Sequence, residues 1–299
     1  MLKGKLGVAL ALLLVGCMVC GCAPKHTHVY EKSAEQLPTC TKAGFTEYLC
    51  SCGESYRETL EPLGHSLDGE GMCSVCGYGG SEGLAYEWED GGWTVAGPAA
   101  YGEERLAVAA KHESQLVVKI APSAFAHNAS IREIALAEGL EEIGNDAFAY
   151  TGAEKVRLPD SLKRVGSNAF LSCTALAEVT LGEGTERLDA YAFAYCTALG
   201  GVELPASVRY VGNFAFYQCW SLEEMIVPNG VTFVGDLAFA GCRDLTSVFL
   251  PASLETLGSY VFSECPSLRE VRFGGTEEQW NALGAELPAG VALACGAEG

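Results

Sequence analysis

The sequence predicts a repeat solenoid, parallel β coils joined by short helical turns, preceded by a small Cys/His-rich module. Three observations predict it. Ala-Phe pairs recur at Phe125, Phe148, Phe170, Phe193, Phe216 and Phe239, with Val-Phe at Phe262, in steps of 22 or 23 residues. Five places before each of the last six stands an aliphatic residue, Ile143, Val165, Leu188, Val211, Val234 or Leu257, and Gly follows it in every case but Asp189. Three places after the Phe runs a column of small side chains, Asn128, Thr151, Cys173, Cys196, Cys219, Cys242 and Cys265, and farther on come Ile131, Leu176, Leu199, Leu222, Leu245 and Leu268. One such unit cannot cover its own apolar face, but stacked units share a core, their strands about 4.8 Å apart.

Composition narrows the function before any element is placed. With 19 Lys+Arg against 38 Asp+Glu in 299 residues the formal charge is −19, which disfavours binding to phosphate backbones, so no nucleic-acid partner is expected. The 36 Gly and 11 Pro mean frequent turns rather than a bundle of long helices.

Residues 1–22 read as an export signal with a lipidation region. Lys3 and Lys5 precede an apolar stretch from Leu6 to Val15 that is too short to span a bilayer of about 30 Å. Leu14-Val15-Gly16-Cys17 resembles the bacterial lipobox, which implies a lipid tether on Cys17, with Cys22 as the alternative after Val19-Cys20-Gly21. Two or three acyl chains, at roughly 0.8 kcal/mol per buried methylene, would hold the chain to the outer face of a bacterial membrane.

Residues 23–80 contain three of the five histidines, together with Cys40, Cys50, Cys52, Cys73 and Cys76. Thiolates and imidazoles so close in sequence can converge on a tetrahedral Zn²⁺, and the candidate ligands are His28, Cys40, Cys50, Cys52, His65, Cys73 and Cys76. Cys73-Ser74-Val75-Cys76-Gly77 has the spacing of a zinc knuckle, whereas Cys50-Ser51-Cys52-Gly53 is shorter than one. Disulfides or unpaired thiols remain the alternatives in an exported segment. The stretch from Cys40-Thr41 through Tyr48 to Gly64-His65 resembles small repeats of bacterial surface proteins, which implies a zinc-ribbon-like spacer with a structural ion.

Residues 81–119 lead into the repeats, and Ser81 to Tyr86 with Trp93 to Gly97 resembles the β-rich N-terminal cap of such repeat proteins. The repeats proper occupy residues 120–272. Within each, Val179-Thr180-Leu181 and its counterparts alternate in and out as a short strand, and Pro205, Pro228 and Pro251 end it. The Ala-Phe segment is a tight turn, or a short 3₁₀ or α turn, that drives Phe into the core. The Cys column reads as buried, inert thiols, with disulfides between coils as the alternative. Residues 273–299 form a C-terminal cap and tail. The pattern Leu204-Pro205-Ala206-Ser207-Val208, Val211-Gly212, Ala215-Phe216, Cys219, Leu222 closely resembles the BspA-like subclass of leucine-rich repeats, and Gly275 to Trp280 resembles the terminal helical cap of such proteins.

Most outward strand positions are polar. Ile226 and Phe249, neighbours in adjacent coils, are expected to face water, and Tyr210 and Phe233 make a similar pair just before the inward aliphatic. These four are the candidate ligand-binding residues, an apolar cluster rimmed by carboxylates. No nucleophile elbow, P-loop, dinucleotide loop or His-Glu-x-x-His helix occurs, and His127 falls in a solvated turn, so no enzyme is expected. The family resemblance implies adhesion through a protein ligand, a host matrix or other cell-surface protein. The alternatives are metal capture by the Cys/His segment and a structural or scaffold role in the envelope.

Overall fold

The structure is a computed structural model in which residues 30–36, 44–60, 81, 83–89, 91–98, 104–113 and 115–297 are described. The chain divides into two compact units, residues 1–62 and 63–299.

In the first unit, strands Tyr30–Gln36, Gly44–Cys50 and Ser55–Leu60 form an antiparallel sheet with Gly44–Cys50 in the centre. Cys50-Ser51-Cys52-Gly53-Glu54 is the hairpin turn: Gly53 N donates to Cys50 O at 2.8 Å and Cys50 N to Glu54 O at 2.7 Å. Gly53 sits at φ 93°, where a side chain would be strained, so the Gly after the second Cys closes the hairpin. Tyr48 stacks on Tyr56 with centroids 4.9 Å apart, and the Arg57 guanidinium lies over Phe45 while pairing with Glu47.

The second unit is the solenoid, built on two parallel ladders. The first runs through Arg105–Val108, Glu133–Leu136, Lys155–Arg157, Glu178–Thr180 and Gly201–Glu203, then, after a break, through Glu224–Ile226, Ser247–Leu250, Glu270–Phe273 and Ala292–Cys295. The break falls at Gly200-Gly201, where coil-to-coil bonds stretch to 3.5 Å (Gly200 N to Ala177 O) and 3.4 Å (Glu223 N to Gly200 O). The second ladder joins Gly92–Pro98 and Gln115–Ile120 to strands of two residues each: Glu142–Ile143, Arg164–Val165, Arg187–Leu188, Tyr210–Val211, Phe233–Val234 and Thr256–Leu257. Leu84–Glu89 pairs antiparallel with Gly92–Pro98 at its end. Coiling therefore starts upstream of the Ala-Phe repeat, with Val95, Leu106, Val108 and Ile120 already in the common core.

The repeat columns account for that core. The rings of Phe125, Phe148, Phe170, Phe193, Phe216, Phe239 and Phe262 are buried in one file, centroids 5.2 to 6.2 Å apart and planes within 16°. Burying each ring contributes roughly 1.5 to 3 kcal/mol. The Gly column exists because coils touch there: a Cβ at Gly144 would meet Ile120 O at 2.6 Å.

The Ala-Phe arcs are successive hydrogen-bonded turns rather than helix. In the arc around Phe148, Ala147, Ala149 and Thr151 bond back to Gly144, Asp146 and Phe148 within the coil. The alternate amides of Asp146, Phe148 and Tyr150 donate to Ser167, Ala169 and Leu171 of the next coil. The residues two before and two after the Phe take positive φ, as at Asp146 (58°) and Tyr150 (60°), Tyr191 (60°) and Tyr195 (61°), and Phe214 (58°) and Gln218 (58°). An i to i+3 bond with positive φ at the third residue is the arrangement of a type II turn and interrupts any helix. For non-glycine residues that conformation costs roughly 1 to 2 kcal/mol, offset here by the coil-to-coil bonds it permits.

After the last repeat, Thr276 caps the helix Glu277–Leu283: its side chain accepts from Gln279 N while Gln279 reaches back to the Thr276 amide. Trp280 is buried against Phe273, 5.5 Å between centroids, so this helix packs on the core at the end of the solenoid. Among the described residues no helix is long and apolar enough to cross a membrane.

Candidate binding surfaces

Three surfaces of the solenoid hold side chains able to recognise a partner. On the second ladder, charge and aromatic contacts form one file across the coils. Lys119 pairs with Glu142 at 3.6 Å, and Arg164 bridges Glu142 and Asp189. Arg187 also meets Asp189 and lies over the Tyr210 ring, 3.7 Å from its centroid, and Tyr210 stacks on Phe233 at 4.5 Å. Tyr210 and Phe233 thus form the expected pair, each half-buried.

On the first ladder Ile226 stands 51% exposed. Phe249 corrects the sequence expectation: it lies beside Ile226 in register but is only 3% exposed. Its strand is four residues long, the Arg272 guanidinium lies over the ring at 6.0 Å, and Gly274 packs so closely that a Cβ there would sit 3.4 Å from Phe249 Cζ. Cover from the following coil turns an outward position into a core one. Ile226 and the Tyr210–Phe233 pair lie on different sheets.

The third surface, on the Ala-Phe arcs, is one that the repeat alignment passed over. Tyr191 stacks on Phe214 at 4.4 Å, and Tyr217 meets both Phe214 and Tyr195 edge-on at 5.5 and 5.3 Å. Trp220 lies under the Arg243 guanidinium at 4.1 Å. Tyr195 and Trp220 are 38% and 36% exposed. His127 is exposed in its turn, as expected, and stacks on Tyr150 at 4.7 Å. The sequence signal was present, as aromatic residues clustered in arcs without charge.

The Cys column is buried and unlinked, so disulfides do not join the coils. Each thiol donates to the carbonyl of a Phe one coil back: Cys173 to Phe148, Cys196 to Phe170, Cys219 to Phe193, Cys242 to Phe216 and Cys265 to Phe239, at 3.1 to 3.3 Å. Burial pushes these thiols up, to about 11 for Cys173 and Cys265 and about 12 for Cys219, and well up for Cys196 and Cys242. They are inert as nucleophiles at neutral pH.

Of the candidate zinc ligands, Cys50 and Cys52 sit on the hairpin of the first unit, Cys50 buried and Cys52 exposed, with their side chains in hydrogen-bonding reach of each other. Two adjacent sulfurs suit a thiophilic ion such as Zn²⁺. His28, Cys40, His65, Cys73 and Cys76, and the lipidation candidates Cys17 and Cys22, lie outside the described residues. Among the described residues no three His, Cys, Asp or Glu side chains gather as a metal site.

The sequence matches the BspA type leucine-rich repeat region, in six copies, over residues 112–199 and 173–282, together more than half of the chain. Among solved structures, the leucine-rich repeat protein of T. pallidum is 26% identical with a TM-score of 0.50, covering 65% of this chain and 81% of that one. A leucine-rich repeat protein from Bacteroides ovatus is 23% identical with a TM-score of 0.48, covering 60% of this chain and 51% of that one. The pneumococcal vaccine antigen PcpA is 15% identical with a TM-score of 0.36, over 72% of this chain and 92% of that one. No curated protein matches.

Proposed function

We propose, from the premise that this chain belongs to the BspA-type leucine-rich repeat family, that it is a lipid-anchored bacterial surface protein that binds a protein ligand through its solenoid in adhesion. The observation that supports this reading most is a pair of separate apolar spots on the two ladders: Ile226 at 51% exposure, with Glu224 on the same strand, and, on the other sheet, the half-buried Arg187–Tyr210–Phe233 stack. Tyr and Arg in such settings are the residue types that dominate protein interfaces. A charge of −19 favours a basic ligand surface and disfavours bare anionic polymers.

In this reading the lipid sits on Cys17, with Cys22 as the alternative, and the Cys/His segment is a spacer that a structural zinc ion stabilises. A metal ion there would be held by thiolates and imidazoles and would serve folding, not chemistry.

Capture from host-matrix and bacterial surface extracts tests the ligand. The native chain should retain a protein that Ile226→Glu or Tyr210→Ala chains release; equal capture by all three would remove both spots from consideration. Radiolabelled palmitate on Cys17→Ala and Cys22→Ala chains tests the anchor, and label surviving both substitutions would overturn it.

A further inference from the structure

We propose that the arc face carrying Tyr195, Tyr217, Gln218 and Trp220 binds a neutral glycan, an uncharged polymer of pyranose rings, at a site separate from the residues proposed above for protein binding. The argument starts from charge. In a chain with 38 acidic and 19 basic residues, the arcs 166–177, 190–200 and 212–222 contain no Asp, Glu, Lys, Arg or His. The arcs of three consecutive coils thus carry no charge of their own, with Arg243 of the following coil lying over Trp220 at their edge, while the two ladders of the same coils carry Glu178, Arg187, Glu203 and Glu224. A basic protein surface drawn to an acidic chain would find a carboxylate only at the edge of this face, on Asp244 of the next coil, whose amide donates to Trp220 O at 3.0 Å, and an anionic polymer would meet the repulsion of the whole molecule.

The side chains present fit a neutral, hydroxylated ring. Aromatic faces accept the apolar C–H face of a pyranose, and Tyr and Trp add a polar handle at the edge. Those handles are already organised. Gln218 donates through Nε2 to the Tyr217 hydroxyl at 3.4 Å, and its Oε1 accepts from Trp220 Nε1 at 3.2 Å, so amide, phenol and indole form one polar track between rings. Arg243 covers Trp220 at 4.1 Å and holds it in place. The backbone is equally fixed. Tyr195 and Gln218 sit at φ 61° and 58°, locked by bonds from Tyr195 N to Tyr217 O at 2.7 Å and from Gln218 N to Ala240 O at 2.8 Å. A platform rigid before binding loses little entropy on meeting a polyhydroxylated ligand.

Calorimetric titration of the full chain with maltohexaose, cellohexaose and mannohexaose, and with polygalacturonate as the charged comparison, tests this. We expect saturable binding of at least one neutral hexaose, weakened tenfold or more by Tyr217→Ala and by Trp220→Ala. Ile226→Glu should leave it unchanged, which separates this site from the residues proposed for protein binding. Gln218→Ala, on the surface, should weaken binding without altering the melting midpoint and keeps the test open if Tyr217→Ala does not fold. Silence with all three neutral hexaoses, a preference for polygalacturonate, or binding indifferent to all three arc substitutions would overturn the proposal.

Discussion

The Asp189 carboxylate of one coil accepts a hydrogen bond from Arg164 Nε of the coil before it at 2.7 Å. Asp189 stands in the column that is otherwise Gly, and its side chain is only 7% exposed because Arg164 and Arg187 close over it. One carboxylate thereby ties three coils through the Glu142–Arg164–Asp189–Arg187 file. Hydrogen bonds to charged groups contribute about 1.5 to 3 kcal/mol when shielded, and partial exposure of both guanidinium groups puts this one at the lower end. Asp189→Asn should lower unfolding free energy by about 1 to 2 kcal/mol in urea titration; an unchanged midpoint would reduce the file to a surface ornament.

Thr185 occupies a column that reads Leu140, Leu162, Thr185, Val208, Val231, Leu254. It is fully buried, and its hydroxyl finds no hydrogen-bond partner among the described residues. A buried, unsatisfied hydroxyl costs about 1 to 3 kcal/mol, so Thr185→Val, which keeps the shape, should raise the melting midpoint. A fall in the midpoint would mean that the hydroxyl has a partner in solution.

The thiol file predicts a pH dependence. Its folded-state values of about 11 to 12 lie above the ordinary 9.0 of an exposed thiol, so above pH 9 the unfolded chain has lost protons that the folded chain keeps. Stability from these thiols is complete below about pH 9 and is lost as pH rises toward 12. Replacing Cys196, Cys219 and Cys242 by Ala should flatten the decline measured by denaturant titration between pH 8.5 and 10.5. Iodoacetamide should leave the five thiols unmodified in native protein and alkylate them in urea; native labelling of Cys219 would contradict their burial.

How much of this was legible in the sequence depends on the length of each element. The Phe and Cys columns and the first ladder were plain, because a step of 22 or 23 residues repeats six times and Val179-Thr180-Leu181 alternates long enough to show a face. The second ladder was hidden as a sheet: strands of two residues, such as Tyr210–Val211, are too short to display a period of two. The coils before residue 120 lack the Phe that marks the others, so Val95 and Ile120 announced themselves only by packing. Phe249 misled because alternation tells which way a side chain points but not what the next coil lays over it. The uncharged run of aromatics was visible, but their gathering on one arc face was not, because left-handed conformations at Tyr191, Tyr195 and Phe214 have no sequence mark, Gly and Asn being the residues ordinarily expected there.

The central claim is that the coils are stable only through an interior held in common. Phe216 is fully buried between the rings of Phe193 and Phe239. Truncating it removes contacts from three coils at once, at a cost of about 3 to 5 kcal/mol. Amide hydrogen exchange on Phe216→Ala measures this most directly. The account predicts that protection falls together in the arcs around Phe193, Phe216 and Phe239 and that the melting midpoint drops; protection lost in the Phe216 arc alone, with its neighbours unchanged, would contradict it.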